Sequence, residues 1–250
     1  MKLSGLIIAR NEETKIESCL KCLNFVDEII IILDRSEDNT EKIAKKYTNK
    51  IFKGSWFCEA ERRNFGLDKC NSDWILEVDA DEIITKKLSN EISKSIKKTK
   101  YDLFYISLLN FVGKNSIRFG WMACMAPEGK FCLFKKGNKN WIKGSVHPSY
   151  SIQGNKGPTL SNPILHYMSK NVSDLIKRFN RNTSLYSADL KNRSSLKKYL
   201  SIRKILSRFL KCYISRSGYK SGKIGFLISI LSAIYPYVSA KKAQSEEFEI

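Results

Sequence analysis

The stretch Trp74-Ile75-Leu76-Glu77-Val78-Asp79-Ala80-Asp81-Glu82 decides how this 250-residue chain folds. A short, mostly apolar run stops abruptly at an acidic turn, and a run of that length reads as a buried strand. Two upstream runs have the same form. Leu3–Ala9 leads into Arg10-Asn11-Glu12-Glu13, and residues 28–33 lead into Asp34-Arg35-Ser36-Glu37-Asp38. Strands that are apolar throughout belong to sheets covered on both faces.

The segments between them carry helical spacing. Ile16, Leu20 and Leu23 mark a helix over 14–23, with Asn11 as its candidate cap. Further helices are expected through Tyr47, over 59–70 and near 86–97, with a short strand at Ile51 and Phe52. Strands alternating with helices in this way predict an α/β fold with a mostly parallel, Rossmann-like sheet. From Tyr101 the segments turn short and aromatic-rich, which predicts a mixed or antiparallel extension of the sheet to about Tyr150. Helical patterns over 173–190, 195–215 and 221–240 predict a C-terminal helical extension. The expected organisation is a domain over 1–170, with halves of about 1–100 and 101–170, followed by a basic helical extension over 171–250.

In open α/β sheets ligands bind beyond the carboxyl ends of the strands. The three polar strand ends can therefore converge on one rim. Carboxylates one residue apart suit a hard divalent cation that keeps positions open for substrate phosphates. Such a cation would neutralise a diphosphate and stabilise it as a leaving group. The competing reading makes these residues turn and cap residues ahead of the helix near 86–97. No Gly-x-Gly-x-x-Gly follows the first strand and no Gly-x-x-x-x-Gly-Lys occurs, so dinucleotide and P-loop readings lose their main support.

Composition narrows the partners. The chain carries 44 Lys and Arg against 25 Asp and Glu, a net charge of +19. Residues 170–223 hold fifteen Lys and Arg against Asp174 and Asp189, a block that favours polyanions such as anionic lipid or nucleic acid. A solvated lysine-rich surface is the plain alternative. The uncharged run 224–240 contains Pro236 and is marginal for a membrane span, so a helix packed on the domain or lying in the membrane interface is expected. The first apolar run meets Arg10, Glu12 and Glu13 too soon for a signal peptide, which places the chain in the cytosol. Cys19 and Cys22 have a CxxC spacing without a second zinc-like pair and fall in a helical pattern, so core packing is expected of them.

The ordered set Ile8-Ala9-Arg10-Asn11-Glu12-Glu13, Asp34-Arg35-Ser36-Glu37-Asp38-Asn39-Thr40, Arg63-Asn64-Phe65-Gly66 and Asp73 to Glu82 resembles family-2 glycosyltransferases of the GT-A fold. It is similar in particular to the branch that holds bacterial lipopolysaccharide-core glucosyltransferases. Leu133-Phe134-Lys135, Val146-His147, His166-Tyr167 and the 218–240 region extend the resemblance over nearly the whole chain.

That resemblance implies a hexose transfer, glucose-type and inverting, from a nucleoside-diphosphate sugar, a UDP-sugar, to a lipopolysaccharide, polysaccharide or lipid-linked acceptor. It implies that Ala9, Arg10 and Glu12 line the nucleotide pocket, that Asp34 contacts the base and that Arg63 lies near the nucleotide. Asp79 would face ribose and metal, and Asp81 would be the main ligand of Mg or Mn. His166 is either a further metal ligand or a packed turn residue. Many relatives carry a glutamate after Val-His, whereas this chain has Val146-His147-Pro148. The general base is therefore open between Glu128, His147 and another group. Cys132 stands where an arginine is common. The implied location is the inner face of the cytoplasmic membrane, in peripheral contact with anionic lipid and without nucleic acid. Two other readings stand against it. A sugar-phosphate nucleotidyltransferase would need a glycine- and lysine-bearing loop where Arg10-Asn11-Glu12-Glu13 stands. A non-enzymatic basic module for membrane or nucleic acid would use the interleaved aromatics Phe179, Tyr186, Tyr199, Phe209 and Tyr213.

Overall fold

A computed structural model describes residues 1–142, 149–191 and 196–245. Its elements begin with β1 (Leu3–Ala9), α1 (Ile16–Lys21), β2 (Glu28–Asp34), α2 (Thr40–Ala44), β3 (Ile51–Gly54) and α3 (Glu59–Lys69). There follow β4 (Trp74–Asp79), β5 (Glu82–Ile83), α4 (Lys86–Ser95), β6 (Leu103–Val112), β7 (Asn115–Ile117) and β8 (Gly129–Lys135). The chain continues through β9 (Lys139–Trp141), β10 (Tyr150–Ile152), β11 (Leu160–Ser169), α5 (Val172–Lys191), α6 (Ile202–Leu210) and α7 (Gly222–Ser245). Packing groups Met1–Leu108 with Gly129–His166 in one unit, and Leu109–Glu128 with Tyr167–Ile250 in a second.

In the first unit the strands run in the order β3-β2-β1-β4-β8-β6-β11-β5. β2, β1 and β4 are parallel neighbours, with Ala9 beside Leu33 and Ile8 beside Asp79, so their carboxyl ends finish at one level. β8 then pairs antiparallel to β4, and β6 antiparallel to β8. The expected α/β sheet with an antiparallel extension is present, and its parallel half carries the polar strand ends. Both faces are covered. Ile7, Ile31 and Leu76 pack with Ile16 and Leu20 of α1 and with Leu88 and Ile92 of α4. Leu6, Ile30, Ile32 and Ile75 pack with Leu67 of α3. Burying side chains of this size stabilises by roughly 1.5–3 kcal/mol each. α3 lies close to the sheet because position 66 is glycine: a Cβ there would meet Leu6 Cδ1 at 2.9 Å and Ile32 Cγ1 at 3.1 Å.

The second unit has its own core, in which Trp121, Met125, Met168, Leu175, Phe179, Ile228, Leu231 and Tyr235 pack together. The Tyr235 ring meets Phe179 edge-on at 5.9 Å. α7 runs through Pro236 without ending there. With the turn before it, α7 forms a Gly218–Ser245 stretch long and apolar enough to cross a membrane, yet half of its most apolar window is buried inside the unit. Its buried residues join this core, and the expectation for 221–240 was a helix packed on the domain or lying in the membrane interface.

Candidate active site

The loops after β1 and β2 are bound to each other side chain to backbone. The backbone N–H groups of Asn11, Glu12 and Glu13 donate to Ser36 Oγ at 3.2 Å, Thr40 Oγ1 at 2.8 Å and Asp38 Oδ2 at 3.0 Å. In return, Glu37 N–H donates to Asn11 Oδ1 at 2.8 Å, and Asn39 donates to Glu13 Oε2 from its backbone at 3.0 Å and its side chain at 2.9 Å. Asn11 sits in the left-handed region at φ 54°, which an Asn tolerates better than most residues. It does not cap α1, whose N-cap position is Lys15. Of this first loop, Ala9 is buried, Arg10 is exposed and Glu12 is half-buried near Lys15.

Asp34, at the end of β2, is 1% exposed. Its Oδ1 accepts from Arg35 Nε at 2.9 Å and Trp56 N–H at 3.4 Å, while its Oδ2 accepts from Arg62 Nη1 at 2.7 Å. Burial would raise this carboxyl, but Arg35 and Arg62 outweigh it and hold the group below the usual carboxylate range. Asp34 therefore fixes two arginines at the rim.

At the end of β4 the acidic turn divides into two parts. Asp79 Oδ1 accepts from Arg63 Nη2 at 3.3 Å and its Oδ2 from Lys130 Nζ at 2.8 Å. Glu82, 1% exposed, closes the turn by accepting from Asp79 N–H at 2.9 Å and Lys130 Nζ at 2.7 Å. Burial favours protonation of Asp79, yet Lys130 and Arg63 overcome it and hold its carboxyl far below the ordinary range. Burial wins at Glu82, whose carboxyl is pushed up despite Lys130. Both cations are held more firmly charged by the acids around them, in spite of their burial.

Arg63 also donates to Glu59 at 2.8 Å from Nε and stacks over the Trp141 ring at 4.6 Å. Trp141 is itself held by Asn64, which donates to its carbonyl at 2.9 Å and accepts its N–H at 2.8 Å. The Arg63-Asn64-Phe65-Gly66 motif thus places one guanidinium: Gly66 brings α3 onto the sheet, and Asn64 ties down the aromatic plane over which Arg63 lies.

Asp81 points the other way. Its Oδ1 lies 3.5 Å from His166 Nε2 and its Oδ2 3.5 Å from Lys15 Nζ. The antiparallel pairing of β5 with β11 sets His166 opposite Glu82, so a histidine 85 positions downstream of Asp81 meets the turn. Among the described residues no three His, Cys, Asp or Glu side chains form a complete cation cage. Asp81 and His166 supply one carboxylate and one imidazole side by side. That donor set fits a divalent cation whose remaining ligands are water and substrate phosphate oxygens. Asp79, already engaged by two cations, is the weaker candidate ligand.

Beneath the turn Cys19 Sγ donates to Asp79 O at 3.5 Å, and Ile84 N–H donates to Cys22 Sγ at 3.1 Å. All seven cysteines are free, and burial raises both of these thiols. They pack, as their spacing within a helix suggested. Glu128 belongs to the second unit, where its exposed side chain pairs with Arg216 Nη1 at 2.5 Å. His147 lies outside the described residues. Cys132 is fully buried in β8, and burial pushes its thiol up to about 12. Lys130, Arg62 and Lys15 were not singled out from the sequence.

The family model for glycosyl transferase family 2 matches residues 4–150, more than half of the chain and all three polar strand ends. The chain belongs to that family. A Rickettsia bellii protein described as an uncharacterized glycosyltransferase is 28% identical, over 96% of this chain and 85% of its own length. The Rhizobium meliloti lipopolysaccharide core biosynthesis glycosyltransferase LpsC is 23% identical, over 97% of this chain and 92% of its own. The crystal structure of Staphylococcus aureus TarS 1–349 aligns with a TM-score of 0.49 at 14% identity, over 100% of this chain and 93% of that one. As a family-2 glycosyltransferase the chain is an enzyme, and the rim of β1, β2 and β4 is its candidate active site.

Proposed function

We propose that this glycosyltransferase moves a hexose, glucose-type, from a UDP-sugar to a lipopolysaccharide, polysaccharide or lipid-linked acceptor with inversion, at the inner face of the cytoplasmic membrane. The observation that carries the reading is the pairing of Asp81 with His166 at the same rim where Arg63, Asp79 and Lys130 are fixed. Residues 1–100 would bind the nucleotide sugar, 101–170 would serve the acceptor, and the basic 171–250 extension would make the membrane contact.

Ala9, Arg10 and Glu12 line the nucleotide side, held in place by the lock between the two loops. Asp34 acts on the base end through Arg35 and Arg62, which it orients. Arg63 offers a planar fork to the ribose or phosphates. Asp81 and His166 would hold Mg or Mn, with Asp79 alongside; neutralising the diphosphate leaving group is the chemistry such a cation supplies. Lys130 keeps Asp79 charged and in place. The acceptor oxygen bonds to the anomeric carbon as the bond from that carbon to the β-phosphate oxygen breaks, and the diphosphate leaves with the electron pair. The proton of the acceptor hydroxyl passes to a general base that stays open between Glu128, His147 and another group.

A thermal-shift series of nucleoside diphosphates and their sugars, with and without manganese, tests this reading. UDP-sugar with metal should raise the transition temperature more than either alone, since a ligand selective for the folded state stabilises it. No shift with any nucleotide sugar in the presence of metal would overturn the proposal.

A further inference from the structure

α6 is amphipathic in the wrong direction for a core helix. Ile202 is 78% exposed, Leu206 59%, Leu210 43% and Ile214, in the turn that follows, 58%. Four residues at i, i+4, i+8 and i+12 lie along one side of a helix. The opposite side is tied to the unit: Arg208 of α6 donates to Ser232 O at 2.9 Å from Nη2, and in the turn that follows Cys212 is buried and donates to Gly120 O. The exposed ridge is thus held rigidly outward. Beside it lies an open groove of about 560 Å³ lined by Arg203, Leu206, Ser207, Leu210, Lys211 and Ser215. Phe226 and Tyr219, half-exposed, extend the apolar surface from an aromatic cluster in which Tyr213 meets both edge-on.

The segment that carries this ridge has charges of one sign, with Arg216 at its end paired to Glu128. Residues 196–223 contain nine Lys and Arg and no Asp or Glu. Arg203, Lys204 and Lys211 flank the ridge, and Lys220 and Lys223 are exposed beyond it. Such a surface does not suit a second copy of the chain, because symmetric contact would set these cations against one another. Nucleic acid would leave four aliphatic side chains without a partner. An anionic bilayer suits both halves: the aliphatic ridge enters the acyl boundary while the cations stay among the lipid phosphates.

We propose that α6 and the Lys211–Ser215 turn form the element that docks this enzyme, lying in the plane of an anionic phospholipid surface. The proposal deepens the peripheral location given above and rests on that reading only for the side of the membrane. Binding requires both the ridge and the flanking cations. α7 stays packed in the unit.

The full chain is tested by co-sedimentation with phosphatidylcholine vesicles, with and without added phosphatidylglycerol. The expected result is binding that strengthens at least about tenfold with the anionic lipid. Leu206→Ser with Leu210→Ser, and separately Lys204→Gln with Lys211→Gln, should each weaken binding to anionic vesicles about tenfold or more. Both double variants should keep the wild-type transition temperature and the same shift with UDP-sugar and manganese, because their side chains are exposed and outside the active site. Equal binding to both vesicle types, or unchanged binding in either double variant, overturns the proposal. So does a wild-type dimer in light scattering that the apolar variant dissociates, or tight salt-steep binding to a DNA duplex without vesicle binding. Vesicle binding without any nucleotide-sugar shift would leave the docking surface standing and remove the proposed donor instead.

Discussion

Lys130 reaches Asp79 from the neighbouring antiparallel strand, its ammonium 2.8 Å from the carboxylate, although 51 positions separate them. The same ammonium serves Glu82 at 2.7 Å. Lys130→Met would strand the buried Glu82 and leave the partly exposed Asp79 to Arg63. Removing one partner of a buried ion pair costs about 3–5 kcal/mol. The urea midpoint should fall accordingly, and transferase turnover should fall with it. Lys130→Arg should recover part of the stability. A midpoint unchanged in the Met variant would mean that the network adds nothing to the fold.

Asp81 and His166 should behave differently from that network. Asp81→Asn keeps the shape and removes the charge, so stability should stay within about 1 kcal/mol. Turnover should drop about 100- to 1,000-fold, the scale of losing one preorganised charge-stabilising group. Chelation of the wild-type enzyme with EDTA should lower turnover, and added manganese should restore it. His166→Ala should reduce the manganese-dependent part of the thermal shift with UDP-sugar. Turnover retained in the Asn variant would remove Asp81 from the metal site.

The lock between the first two loops predicts a binding defect. Asp38 accepts from Glu13 N–H at 3.0 Å and from Thr40 N–H at 3.0 Å. Asp38→Ala should cost about 1–3 kcal/mol by stranding these donors. The loops would open, so KM for the donor should rise more than kcat falls. Steady-state kinetics over a donor series separates the two.

Acid sensitivity should come partly from Glu28, far from the active site. Burial raises its carboxyl, but Lys50, Ser4 and the Asn71 N–H together bring it down to about 2 from an ordinary 4.5. A carboxyl depressed on folding stabilises fully above its unfolded value and loses that contribution as pH falls through the folded one. Glu28→Gln should therefore be less stable than wild type near neutrality, and the gap should close between pH 4.5 and about 2. Urea midpoints across that range check the slope.

These residues differ in how openly the sequence announced them. The ends of β1, β2 and β4 were legible because fully buried parallel strands read as unbroken apolar runs, and a polar residue that ends such a run marks the rim. Asp79 and Asp81 look alike in sequence. Their separate roles come from partners brought in by β8 and by β11, and antiparallel register cannot be read from one strand. Lys130 carried no such signal: β8 has an irregularity opposite Phe104 and Tyr105, and Cys132 and Phe134 fall in different cores, so plain alternation along the strand does not place the lysine. Asp34 was legible as a strand-end carboxylate. Its burial under Arg35 and Arg62 was not, because Arg62 arrives from α3, 28 positions on. Residues 109–128 read as a continuation of the sheet region, and their packing with the C-terminal helices depends on contacts more than forty positions apart.

The discontinuous second unit also sets a timetable for biosynthesis. Trp121, 1% exposed in the finished chain, shares its core with Ile228, Leu231 and Tyr235. Translation adds about 5–20 residues per second, so residues 109–128 wait on the order of ten seconds after emerging before α7 exists to cover them. Over that interval the nascent chain can complete its sheet while the Trp121 indole and Met125 stay in water, a substrate for a holdase chaperone. Chains stalled before α7 should bind such a chaperone through 109–128, and release should follow completion of the last helix.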